Sequence, residues 1–213
     1  MNFILRHFFF FAVVRPLLLI FLGIQVRHKN RLPLKGPFIV AANHNSHLDA
    51  LVLISLFPLK LLRSVHPVAA MDYFLRNRLM AWFSLKIIGI IPLSRKSISH
   101  KQDPLQPVCD SLEKNEIVII FPEGSRGEAE HMSQMKTGIA HIAARYPEIP
   151  TIPIFLHGLG KSLPRNETLF VPFRCDVFVG EPIYWKGDRK EYMSALEHSL
   201  SELAHEEHLP EWK

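Results

Sequence analysis

Two cysteines in 213 residues, Cys109 and Cys175, stand without companions at metal-ligand or redox spacing. That excludes a disulfide framework and a structural zinc site, and it fits a reducing, cytoplasmic setting. No segment repeats at solenoid periods, and no low-complexity tract interrupts the chain. Metal knuckles and basic runs interleaved with stacking aromatics are also missing, so the net charge of +5 does not select nucleic acid. The same charge suits an anionic lipid surface or a phosphorylated substrate. With 48% hydrophobic residues and no internal shift of composition, the chain can bury one substantial core.

An uninterrupted run of about 20 apolar residues, the length a spanning helix needs, is lacking as well. The nearest approach is residues 1–26, apolar at 8–11 and 17–22 but broken by Arg6, His7 and Arg15. Arg15 at the bilayer centre would cost about 2.5–3.5 kcal/mol, which disfavours a simple span. The expectation is a partly embedded helix or helix pair whose basic residues reach the headgroups while Phe and Leu enter the acyl boundary. Residues 1–30 are therefore read as an N-terminal membrane-associated helical segment and residues 31–213 as the globular domain. A secretory signal is the rival reading, but no small-x-small cleavage site follows directly. A helix folded into the core is another.

Beyond residue 31, short apolar runs alternate with helix-period segments, the pattern of a single α/β domain with a mixed central β-sheet flanked by helices. Strands are expected at 37–42, 65–69, 89–93, 117–121, 151–156 and 175–180. Helices are expected at 46–56, 72–86, 104–114, 133–146 and 188–205. Residues 158–173, with Gly, Pro and mixed charge, read as a long loop.

The chemistry concentrates at the ends of two predicted strands. Asn43-His44-Asn45-Ser46-His47-Leu48-Asp49 places a His and an Asp five residues apart. On a continuous helix they would lie about 140° apart and not touch. A strand-to-helix turn can fold the carboxylate back, where it would fix the imidazole tautomer and leave the other nitrogen to act as a general base. Ser46-x-x-Asp49 is also a capping box, and both roles can hold because a carboxylate has two oxygens. A metal on His44, His47 and Asp49 would need a tight turn and lacks an obvious fourth ligand, so no metal is expected.

The second cluster is Phe121-Pro122-Glu123-Gly124-Ser125-Arg126-Gly127, a strand-end loop whose glycines let backbone approach a ligand. Glu123 and Arg126 there, with Arg95 after the third strand candidate and Lys136 beyond the loop, suit a phosphorylated head group. An exposed turn with a surface ion pair is the plainer reading of that loop. Cys109, inside an amphipathic helix without an obvious base, reads as packing rather than as a nucleophile.

Taken in order, four blocks resemble those of the glycerolipid acyltransferase family typified by 1-acylglycerol-3-phosphate acyltransferases. They are Asn43-His44 to Asp49, Gly89 to Arg95, Phe121 to Arg126, and Ile149-Pro150-Thr151-Ile152-Pro153-Ile154, and the likeness covers roughly residues 34–183. The resemblance implies an O-acyltransferase of phospholipid synthesis in which His44 and Asp49 are catalytic and Arg95, Glu123, Gly124, Ser125, Arg126 and Lys136 bind the acceptor. Pro150 and Pro153 would lie near the acyl chain or reaction centre. It also implies no cofactor, with acyl-CoA or acyl-carrier protein as co-substrate, membrane lipids and a lyso-lipid acceptor as partners, and the cytoplasmic face of the inner or cytoplasmic membrane as location.

Two departures widen the range of acceptors. Pro92-Leu93-Ser94 stands where members commonly carry an aromatic and an acidic residue, and Ser125-Arg126-Gly127 where Thr-Arg-Ser is usual. Lysophosphatidate, another lysophospholipid and an amino-acid-based lyso-lipid all remain open. A thioester or ester hydrolase using the same His, and a non-catalytic lipid carrier, fit the same residues as rival functions.

Overall fold

The computed structural model describes residues 3–74, 77–94, 103–125, 132–162 and 175–206. Seven strands form one sheet in the order β1-β7-β6-β2-β5-β3-β4. They are β1 (Gln25–Arg27), β2 (Phe38–Ala42), β3 (Val65–Ala70), β4 (Ile91–Leu93), β5 (Ile117–Ile120), β6 (Thr151–His157) and β7 (Asp176–Val179). Neighbours pair in parallel from β6 through β4; β7 runs antiparallel to β6, and β1 is parallel to β7. The mixed α/β architecture expected from the alternation is thus present, with all six expected strands in place.

Nine helices accompany the sheet among the described residues: α1 (Phe3–Phe9), α2 (Arg15–Phe21), α3 (Asp49–Ser55), α4 (Met71–Phe74), α5 (Arg78–Phe83), α6 (Gln106–Glu113), α7 (Gly138–Arg145), α8 (Leu159–Ser162) and α9 (Arg189–His205). β2 alternates its side chains between two cores. Phe38, Val40 and Ala42 join α1–α3, whereas Ile39 and Ala41 join α6, α7 and α9. Because both faces are covered, every residue of β2 is buried, which explains its unbroken apolar run.

β1, at the end of the segment expected to be helical, was not legible in the sequence because three residues are too short to show alternation. Its partner strand is about 150 residues away, and Gln25 N–H donates to Cys175 O at 2.9 Å. The expected helix at 72–86 is broken. Asn77 starts α5 afresh, its side chain accepting from Met80 N–H at 2.7 Å, and a π-turn at Ser84–Ile88 follows. Of the expected loop at 158–173, Leu159–Ser162 is α8 and the remainder lies outside the described residues.

The N-terminal segment is the expected apolar helix, over Phe3–Ile20 long and apolar enough to cross a membrane by length and composition, and its inner side holds the departure from expectation. α1 and α2 are joined by a π-turn, Phe10–Val14, and one stripe, Arg6, Phe10, Val14, Leu18 and Leu22, is buried against the domain. A strict four-residue repeat would drift about 40° per step on an α-helix. The wider π-turn absorbs part of that drift. The four apolar members contribute about 1.5–3 kcal/mol each by burial, so the helix is a wall of the core. With β1 as well, the packing has no boundary at residue 30.

The arginines do not reach outward to headgroups. Arg6 Nη2 donates to Val65 O at 2.7 Å and Arg15 Nη2 to Phe57 O at 2.8 Å, both inward. Burial lowers the Arg6 pKa to about 10, opposed by Glu116, and the guanidinium still stays charged at neutral pH. Ile4, Phe8, Phe11, Leu19 and Ile20 are left on the exposed side. Arg6→Ala should cost about 1.5–3 kcal/mol, since a buried carbonyl loses a charged donor. Thermal unfolding should show Tm lower by about 3–12 °C; an unchanged Tm would mean that the contact contributes nothing.

Candidate active site

β2 and β5 are adjacent and parallel, and their C-terminal ends deliver the two predicted clusters to one edge of the sheet. This is where open α/β sheets bind ligands. Directly after β2, the Asn43 side chain donates to Leu156 O at 2.8 Å and accepts from Leu156 N–H at 2.7 Å. The amide continues the ladder to β6 after the backbone has turned away, so His44 leaves from a fixed point.

The turn that follows folds Asp49 back onto His44. Asp49 Oδ2 accepts from His44 Nδ1–H at 2.9 Å, Asn45 N–H at 2.8 Å and Ser46 N–H at 2.8 Å. Capping and orientation of the imidazole therefore coexist, but on one oxygen. Oδ1 is buried with no hydrogen-bond partner among the described residues. The three donors also explain why α3 starts at Asp49 and not at 46: the preceding N–H groups are committed to the carboxylate. With Nδ1–H bound to Asp49, Nε2 is the basic nitrogen of the neutral ring. The His44 side chain is 21% exposed and Asp49 only 1%. The His44 ring stacks on Phe121 at a centroid distance of 4.0 Å and 20° between planes. His47 is exposed, outside this turn's buried side.

Glu123 holds the two clusters together. Its Oε1 accepts from the backbone N–H of His44 and its Oε2 from that of Ser133, both at 2.8 Å. Burial pushes its pKa up, and the N–H donors at Ser133 and His44 pull it back. This carboxylate is spent on backbone, contrary to the expected role in binding the acceptor. Ser133 N–H is used here and Lys136 N–H donates to Pro122 O at 2.9 Å, so the expected helix at 133–146 begins only at Gly138.

Gly124 turns the chain at φ +71°, and a Cβ there would lie 2.7 Å from Lys136 Nζ. The ammonium thus lies against bare backbone, next to the exposed Ser125. Arg95 and Arg126 lie outside the described residues; Ser94, before Arg95, follows β4 at this same edge. Pro150 and Pro153 are not brought to the site. The carbonyl of Pro150 accepts from Ile39 N–H, five residues back along β2 from His44, or about 16 Å at the rise of a strand. Pro153 pairs with Ala41 and its ring fills the space a Cβ on Gly180 would need, on the α9 face. The sequence reading gave no role to Asn43 or Phe121; an amide directly after a fully apolar strand was the available signal. Cys109 is buried in α6.

An open α/β sheet thus carries a His–Asp pair and a Pro-Glu-Gly turn side by side at its C-terminal edge. Residues 23–157 match the family model described as Acyltransferase, and the chain belongs to that family. It is 26% identical over 174 residues to 1-acyl-sn-glycerol-3-phosphate acyltransferase alpha of Bos taurus, covering 81% of this chain and 58% of that protein. Against 1-acyl-sn-glycerol-3-phosphate acyltransferase of Bacillus subtilis it is 25% identical over 185 residues, 84% of this chain and 85% of that one. The chain thus spans somewhat more than half the length of the mammalian relative. Its fold is that of the crystal structure of the 1-acyl-sn-glycerophosphate (LPA) acyltransferase PlsC from Thermotoga maritima, with a TM-score of 0.71 at 20% identity over 98% of this chain and 80% of that one.

Gly124→Ala should lose about 1–2 kcal/mol from the left-handed backbone and displace Lys136. Thermal unfolding reads the first effect; an unchanged Tm would mean that the turn relaxes without strain.

Proposed function

We propose that this chain transfers a fatty acyl group from acyl-CoA or acyl-carrier protein to the free hydroxyl of a lyso-glycerolipid, with 1-acylglycerol-3-phosphate as the foremost acceptor. The observation that carries this reading is the His44 Nδ1 to Asp49 Oδ2 hydrogen bond at 2.9 Å, at the partly exposed end of β2. His44 Nε2 takes the proton of the acceptor hydroxyl as its oxygen attacks the thioester carbonyl carbon. The C–S bond then breaks, and the leaving thiolate takes the proton back from the imidazolium. Asp49 holds the tautomer and stabilises that cation. No cofactor and no covalent acyl-enzyme enter these steps.

Lys136, packed over Gly124, supplies a cation for the acceptor's phosphate, and Arg95 and Arg126 are the proposed partners of the same anion. Glu123 is assigned to positioning, because a carboxylate would repel a phosphate and both its oxygens face backbone N–H groups. The exposed apolar side of α1 and α2 supports a seat on the bilayer that dissolves the acceptor. The cytoplasmic face is proposed because acyl thioesters are made there.

His44→Ala should lower turnover of lysophosphatidate with acyl-CoA by about 10²–10⁴, with Tm lower only by the few degrees that one lost hydrogen bond to buried Asp49 explains. Full activity would remove His44 from the mechanism. Asp49→Asn can keep an acceptor oxygen for all three donors while losing the charge, so kcat should fall by a comparable factor with a smaller loss of stability. Equal turnover with a destabilised fold would reduce Asp49 to a cap. In Glu123→Gln, kcat should fall with the acceptor's KM nearly constant. A rise confined to that KM would return Glu123 to the phosphate site.

A further inference from the structure

We infer that α5 is a second membrane-embedded element, continuous with the outer face of α1 and α2, so that the chain enters one leaflet with two segments about 70 residues apart in sequence. The inference rests on the membrane reading proposed above and extends it to a part of the chain that reading does not use. α5 buries none of its residues. Leu79 is 76% exposed, and Met80, Trp82 and Phe83 are exposed with it. In water such a helix is out of balance, since it orders four large apolar side chains and leaves each more than a third exposed, Leu79 most of all. Local capping by Asn77 accounts for where it starts and not for what it is made of.

Three observations name a lipid surface as its occupant. First, the Phe9 and Phe83 rings meet edge to face at 5.4 Å, joining α5 to the N-terminal helix whose Phe8 and Phe11 are exposed. Second, Arg6 and Arg15 turn inward to carbonyls, which keeps these two cations off the shared outer face. Third, exposed Arg78 and Lys86 flank α5 at its two ends, where they suit anionic headgroups. Trp82 between them has the amphipathic ring favoured at a membrane interface. From α5 the chain passes through the π-turn and Gly89 into β4, which ends at the active-site edge of the sheet. Seating α5 in the leaflet therefore brings that edge toward the lipid from which the acceptor must come.

The test uses the full chain and vesicles of phosphatidylcholine with phosphatidylglycerol, with and without brominated acyl chains. Trp185→Phe with Trp212→Phe leaves Trp82 as the sole tryptophan of the three in the sequence. A companion adds Trp82→Phe and Phe11→Trp to report the N-terminal face. At least twofold quenching by bromolipid is expected for both reporters. Quenching of the Phe11→Trp reporter alone would overturn the inference and leave N-terminal attachment standing; quenching of neither would overturn both. In Leu79→Ser with Met80→Ser, vesicle partitioning should fall at least tenfold while Tm and turnover of a short-chain, monomeric acceptor hold. Unchanged partitioning, or a concentration-dependent dimer that shields Trp82 without lipid, would also sink it.

Discussion

Three N–H groups converge on Asp49 Oδ2, and the order of the active-site turn follows from that convergence. Two donors are backbone and one is an imidazole, so the oxygen that ties down the turn before α3 is also the oxygen that holds the His44 ring. The turn cannot relax toward a longer helix without releasing the imidazole, nor can the ring rotate without leaving a sealed carboxylate short of a donor. Burial of Asp49 strengthens each of these contacts, because little water competes for the oxygen.

Around this point the sheet supplies three braces for the His44 turn, one to β6 and two to the segment that follows β5. Asn43 fastens it to β6, Glu123 fastens it to the loop after β5 and to Ser133, and Phe121 lies under the ring. None of the three needs to touch a substrate to matter. The braces reach both neighbours of β2, so the His44 turn is fixed to β6 and to the segment after β5 at once. Lys136 comes from the same braced segment, so the cation over Gly124 and the imidazole share one rigid frame.

The sequence exposed the central strands because a strand covered on both faces must be apolar throughout, as 38–42 and 117–120 are. His44, Asp49 and the Glu123-Gly124 turn stood out because polar residues directly after such strands have few packing reasons to be there. What stayed hidden depends on distance in the fold. β1 pairs with a strand far along the chain, and residues 133–137 have helical composition but spend N–H groups on Glu123 and Pro122. The inward turn of Arg6 and Arg15 was equally out of reach, since it requires knowing that the carbonyls of Val65 and Phe57 lie beneath the helix. Pro150 shows the converse: the resemblance implied a place near the acyl chain or reaction centre, and the direction of β6 puts it before that strand's first residue, away from the His44 end.

The leading helix shares its inner stripe with the core over β2 and hands the chain straight to β1 at the sheet's edge. Cutting the first two dozen residues away to obtain a more tractable protein would peel a wall off the apolar layer that supports β2. A heterologous anchor in its place would not restore that packing.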